Sequence, residues 1–186
     1  MAISLKKGGS INLTKKAPAL KKVMIGMGWE ILPGNHIDLD SSIFMLGPNG
    51  KLPADDFFIF YNNLKSPQGA LEHTGDNRSG VGEGDDEMIL VNLPLVEAQV
   101  DEILIVASIH DADIKKHHFG LLKDAYIRIV DVETNVEVLR FDLDEQYPDC
   151  TDMEFGKLIR QNGEWSFYAM GNGSKKGLQG YVDVYA

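Results

Sequence analysis

Residues 73–87 read His-Thr-Gly-Asp-Asn-Arg-Ser-Gly-Val-Gly-Glu-Gly-Asp-Asp-Glu, and the chain concentrates its chemistry there. Asp76, Glu83, Asp85, Asp86 and Glu87 stand together with only Arg78 opposing them. Carboxylates this close repel one another unless a positive charge joins them. Gly75, Gly80, Gly82 and Gly84 let the backbone turn tightly and aim several carbonyl oxygens at one point. Carboxylates, the Asn77 amide and such carbonyls make an all-oxygen donor set, which suits a hard cation. Ca²⁺ takes about 6–8 oxygens in irregular geometry, whereas Mg²⁺ demands a regular octahedron and keeps its waters. Zn²⁺ fits poorly, because the stretch holds one histidine and no thiolate. The spacing is not that of an EF-hand. Composition therefore leaves two readings open, an ion site and an acidic loop in solvent.

Two further acidic pairs bear on that choice. Asp38 and Asp40 are two residues apart, so an extended segment carries both on one face. Asp55 and Asp56 stand immediately before the run Phe-Phe-Ile-Phe-Tyr at 57–61. Both pairs are expected at the starts of strands, where the loops of a sandwich gather at one end. If they meet the 76–87 stretch there, one or two Ca²⁺ ions can be held.

Other groupings carry less. His110, Asp113, His117 and His118 are too far apart for one helical face, and they are read as surface polar residues. His73 is either a support for the acidic loop or a turn residue. Trp29 and Trp165 are read as packing residues. Residues 171–177 are rich in Gly and Lys, but they follow an expected strand without opening an expected helix. A hairpin turn is the reading there, not a phosphate cradle. No nucleophile elbow, Walker loop or dinucleotide fingerprint occurs.

The elements that must hold these residues read as strands. Residues 21–29, 42–46, 56–61, 87–93, 103–109, 125–130, 136–143, 164–170 and 180–185 are short runs rich in branched and aromatic residues. Gly, Pro, Asn and Asp clusters bound most of them. Residues 103–109 are apolar on nearly both faces, which predicts a central strand. Residues 181–185 alternate Tyr-Val-Asp-Val-Tyr, which predicts a strand with one wet face. One helical turn is expected within 93–100 and another within 113–122, with Asp113 as its N-cap. The stretch from 62 to 86 is expected to be a long functional loop. Many short strands with glycine-rich turns give an all-β fold, a sandwich of two antiparallel sheets, as one domain over residues 1–186.

Charge and cysteine content narrow the function. The net charge is −10, yet the six lysines at 6, 7, 15, 16, 21 and 22 precede the first acid, Glu30. So acidic a balance repels phosphate backbones, so nucleic acid is not an expected partner. The single cysteine, Cys150, excludes an intrachain disulfide or dithiol pair, which agrees with a reducing compartment. No apolar run is long enough to span a membrane, and the first residues do not read as a signal peptide. The expected location is the cytoplasm.

Several motifs occur together in a familiar order: Gly26-Met-Gly-Trp29, Asp38-Leu-Asp40, Asp55-Asp-Phe-Phe-Ile-Phe-Tyr-Asn-Asn63, His73-Thr-Gly-Asp-Asn77 and Gly82-Glu-Gly-Asp-Asp-Glu87. Arg140-Phe-Asp-Leu143 and Glu164-Trp-Ser-Phe167 follow. Over essentially the whole chain this pattern resembles the TerD family of tellurite-resistance and general-stress proteins. The resemblance implies a Ca²⁺-binding β-sandwich without enzymatic activity, working with other stress-response proteins. It implies Asp76, Asn77, Asp85, Asp86 and Glu87 as ligands with Gly82 among them, and Asp38, Asp40, Asp55 and Asp56 as further acidic positions. At Val81 the chain departs from the polar residue common in the family. Two other functions are weighed beside a binding or scaffolding module. One is a metal-dependent hydrolase built on the carboxylates. The other is a module that meets anionic lipid through Ca²⁺.

Overall fold

The computed structural model describes residues 2–74, 84–143 and 147–186. In chain order the elements are β1 (Ile3–Leu5), β2 (Ser10–Asn12), α1 (Leu13–Lys16), β3 (Lys22–Ile31), β4 (Leu39–Leu46), β5 (Phe58–Ile59), β6 (Leu71–His73) and β7 (Glu87–Asn92). Then come β8 (Glu102–Ile109), α2 (Ala112–Lys115), β9 (Leu122–Asp131), β10 (Val136–Asp142), β11 (Asp152–Gln161), β12 (Glu164–Ser174) and α3 (Gly177–Tyr185). They form two six-stranded sheets, the first ordered β1-β10-β9-β3-β7-β6 and the second β2-β12-β11-β8-β4-β5. The expected all-β sandwich is the observed architecture, and β8 is central as its two-sided apolar pattern requires.

Alternation explains how the sheets meet. Leu39, Ile43 and Met45 of β4 point inward to a core shared with Ile25, Ile89, Ile105, Ile127 and Phe167. Phe44 and Leu46, one residue out of step, point outward with Leu104 and Val106. That outer apolar strip lies under Tyr181 of α3. Trp29 and Trp165 are both buried, as packing residues should be.

Four differences from the sequence reading have physical causes. First, β1 runs parallel to β10, so the first sheet is not wholly antiparallel. This short strand closes the open edge of β10 before the chain crosses to the other sheet as β2.

Second, β1, β2, β6 and β11 lie outside the predicted runs. In β11 the pairing register shifts between Glu154 and Gly156, and a bulge of this kind breaks the period-two pattern. A β-carbon on Gly156 would come within 2.5 Å of the Phe167 ring, so the close approach needs glycine.

Third, residues 180–185 are helical. Tyr181 and Tyr185 are four apart, a spacing that shares a face in either period. Both rings reach Phe44, at 6.3 and 5.3 Å between centroids, and burial of that strip selects the helix.

Fourth, the turn predicted at 113–122 has Asp111, not Asp113, at its N-cap. Asp111 sits at φ 54°, in the left-handed region that Asp tolerates, with no side-chain capping bond.

Candidate functional site

Two strand starts bring acidic residues to one end of the sandwich. Glu87 opens β7 and pairs with Met27 of β3. Asp38 and Asp40 lie at the start of β4, where Asp40 pairs with Ser108 of β8. A buried cluster ties these ends together. The Ser41 hydroxyl donates to Glu87 Oε2 at 2.6 Å and lies 2.7 Å from His73 Nε2. Glu87 Oε2 is itself 2.9 Å from that nitrogen. His73 therefore links the two sheets, which settles the choice left open for it. The trio is not a hydrolytic triad. There the hydroxyl and carboxylate address opposite ring nitrogens, whereas here both meet Nε2 and all three side chains are buried.

Asp86 and Asp85 are held from β3 and β9. The Asp86 N–H donates to Met27 O at 2.7 Å, and its Oδ2 accepts the Trp29 N–H at 2.9 Å. Burial raises the Asp86 pKa above the ordinary carboxylate range. The Trp29 bond opposes the rise, and the charges of Glu87 and Asp85 add to it. Asp85 turns onto the outer face of the first sheet. Arg128 Nε and Nη2 donate to it at 2.9 and 2.8 Å, and Tyr126 Oη donates at 2.9 Å. Arg128 is held above its usual basicity mainly by that bond. The Tyr126 phenol is pushed up to about 12 by burial first and by Asp85 second.

Glycines make this arrangement possible. A β-carbon on Gly26 would collide with the Asp85 carboxylate, and one on Gly28 would lie 2.5 Å from Tyr126 Oη. Gly-Met-Gly at 26–28 is thus a groove on β3 that receives the carboxylate and the phenol. Nothing in the linear pattern joined this motif to Asp85, 59 residues further on by number. Arg128 and Tyr126 were missed for the same reason.

The second acidic pair lies elsewhere. Phe58 pairs with Phe44 and Ile59 with Ile43, antiparallel. Asp55 and Asp56 form a 3-10 turn beyond the Leu46 end of β4, exposed to solvent. Asp40 is at the other end of that strand, about 20 Å away at ~3.3 Å per residue. The starts of two antiparallel neighbours cannot share one end, so the expected gathering of both pairs does not occur. Asp76, Asn77 and Gly82 lie outside the described residues. Among the described residues, no three His, Cys, Asp or Glu side chains stand close enough to hold an ion by themselves.

On the outward side of the second sheet, Asp40 lines a cleft of about 390 Å³ with Tyr61, His110, Asp111, Lys175 and Lys176. Asp40 Oδ2 is 4.0 Å from His110 Nδ1. His117 and His118 are half-buried rather than on the surface. Residues 171–174 complete β12 and lead into α3, not into a hairpin turn. The N-terminus of that helix is already met by Asp152, which accepts the Gly177 N–H at 2.8 Å. Burial pushes the Cys150 thiol up, with the charge of Asp152 adding to it, so little of it is thiolate near neutrality. No described helix is long and apolar enough to cross a membrane.

Comparison with known proteins gives a consistent picture. The TerD domain matches residues 1–185. The chain is 47% identical to the tellurium resistance protein TerD of Serratia marcescens, across 100% of this chain and 97% of that protein. It is 46% identical to general stress protein 16U of Bacillus subtilis, across 96% and 94%. A solved homologue of the telluride resistance protein from Streptomyces coelicolor shares the fold, with a TM-score of 0.71 at 18% identity over 88% of this chain and 96% of that one.

Proposed function

The chain belongs to the TerD family, and from that premise we propose that it acts in resistance to tellurium compounds and general stress as a Ca²⁺-dependent binding or scaffolding module without catalysis of its own. The observation that carries this reading is the meeting of the β4 and β7 starts through Ser41 and Glu87. It brings Asp38, Asp40 and Asp86 to the end where Thr74 and Gly84 flank the acidic stretch. The donors are all oxygens, which fits Ca²⁺ and not a soft metal. Asp38 and Asp86 would hold the ion, together with Asp76, Asn77 and the Gly82 carbonyl, while Asp40 faces the cleft beside His110. Burial is the main cause of the raised Asp86 pKa, and a bound ion would offset the charges of Glu87 and Asp85 that add to it. Asp85 and Glu87 act as braces that fix the start of β7, Asp85 through Arg128 and Glu87 through Ser41. The partners are other stress-response proteins in the cytoplasm, met through the end that the ion rigidifies.

Calorimetric titration of the full chain with CaCl₂ tests the reading. Saturable binding is expected, lost in a variant carrying Asp38→Asn with Asp86→Asn. No binding at millimolar Ca²⁺, or equal binding by wild type and variant, removes it.

A further inference from the structure

The residues of α3 are poor helix formers. Gly177-Leu-Gln-Gly-Tyr-Val-Asp-Val-Tyr185 contains two glycines, two β-branched valines and two tyrosines in nine positions. Each of these types lowers helix propensity, and the alternation at 181–185 is that of a strand. A helix of this length is marginal alone even with ideal residues. The N-cap residue Lys176 makes no side-chain capping bond. Whatever keeps the segment helical comes from the surface under it.

That surface is separate from the main core. Phe44, Leu46, Leu104, Val106 and Tyr181 form their own buried cluster on the outer face of the second sheet. Among the described residues, the polar attachments lie at the two ends of α3, and the Leu52 N–H donates to the Tyr185 carbonyl at 2.7 Å. At the start, Asp152 accepts the Gly177 N–H and the Ser174 hydroxyl, and Ser174 meets Tyr181 Oη at 3.1 Å. At the finish, Tyr185 donates to Glu154 at 3.1 Å, and Lys51 donates to the carbonyls of Val184 and Ala186. The sheet beneath is tied to its neighbours by continuous ladders that do not pass through α3.

We propose that α3 is a releasable strap, docked on the second sheet by Tyr181 and Tyr185, which opens by local unfolding while both sheets stay intact. Its lead-in and first turn, Lys175 to Leu178, form one wall of the 390 Å³ cleft that Asp40 lines. Release therefore uncovers an apolar strip and removes that wall in one motion. A molecule bridging the two walls of the cleft binds the docked state alone and, by linkage, holds the strap down.

Native-state hydrogen exchange on the full chain tests this. The amides of residues 181–186 are expected to exchange at least 100-fold faster than those of β8 and β11 under native conditions. Tyr181→Ala is expected to accelerate exchange a further tenfold or more, confined to α3 and its lead-in, with β3 and β9 unchanged. If the α3 amides exchange only at the global rate of the sheets, or if Tyr181→Ala speeds exchange throughout both sheets, α3 is an integral part of the fold and the proposal fails.

Discussion

The Asp85 carboxylate lies over Gly26 and is gripped from the side by Arg128, whose Nη2 is 2.8 Å from Oδ2. The Asp85 side chain is 2% exposed, so this pair sits in a site poor in water. Removing either partner strands the other. Arg128→Ala and Asp85→Asn are each expected to destabilise the fold by about 2–3 kcal/mol, less than the ~3–5 for a fully buried pair because Arg128 is partly wet. Urea unfolding of both single variants and the double variant checks this. The double variant should cost clearly less than the sum, and strict additivity would show that the pair is not coupled.

The glycine groove makes a sharper demand. Gly26→Ala places a methyl group where the Asp85 carboxylate stands, while β3 itself tolerates alanine at an ordinary strand position. A loss of about 1–3 kcal/mol is expected, as for other overpacked sites. In an Asp85→Ala background the same change should cost far less, because the colliding carboxylate is gone. Unfolding midpoints of the four proteins give the answer.

Asp86 separates ion binding from stability. Its carboxylate is held with a raised pKa by burial and by Glu87 and Asp85, so its charge works against the apo fold. Asp86→Asn keeps an oxygen for the Trp29 N–H and removes the charge. In chelator this variant should melt at or above the wild-type temperature. In saturating Ca²⁺ the order should reverse, since only the wild type gains about 2.7 kcal/mol at a hundredfold excess over Kd. Thermal melts with EDTA and with CaCl₂ read both signs, and a variant that melts below wild type in EDTA would refute the repulsion argument.

Tyr126 predicts a loss of stability in alkali. Its phenol ionises near pH 10 in the unfolded chain and is pushed up to about 12 in the fold, by burial and by its bond to Asp85. An acid with a raised folded pKa favours the protonated fold, so its contribution is complete below pH 10. It is lost as the pH climbs from 10 to about 12, because the unfolded chain then releases a proton that the fold retains. Absorbance at the tyrosinate band should show one late titration missing in Tyr126→Phe, and the variant's stability should fall less steeply across that window.

The buried link at His73 offers a further test of the candidate end. Ser41→Ala removes the hydroxyl that donates to Glu87 and leaves the buried carboxylate with one donor fewer. A cost of about 1–3 kcal/mol follows from an unsatisfied buried acceptor. Because this link joins the β4 and β7 starts, Ca²⁺ affinity should fall as well, although the hydroxyl is not among the ligands. Calorimetry on Ser41→Ala with unchanged affinity would dissociate the brace from the ion site.

Local pattern carried most of the strands and the presence of an acidic centre. β8 showed itself through an apolar run on both faces, and β7 through alternation from Glu87 onward. α3 misled because tyrosines four apart satisfy two periods at once, and β11 was hidden because a bulge at Glu154 breaks the count. The partners of the acidic residues were illegible for another reason. Tyr126 and Arg128 meet Asp85 only because β3 lies between β7 and β9 in the sheet order, and strand order is written nowhere in a single run of residues.

Residue type and spacing alone determined that this chain is built of strands, that its oxygen donors crowd into residues 76–87, and that its carboxylates repel. The tertiary structure decided which carboxylates keep which partners. Asp85 went to Arg128 and Glu87 to Ser41 and His73, while Asp55 and Asp56 went to the opposite end from Asp40. Periodicity is a property of neighbours along the chain, so it survives in the sequence. Pairing between strands joins residues far apart in number, and it exists only once the sheets have closed on their shared core.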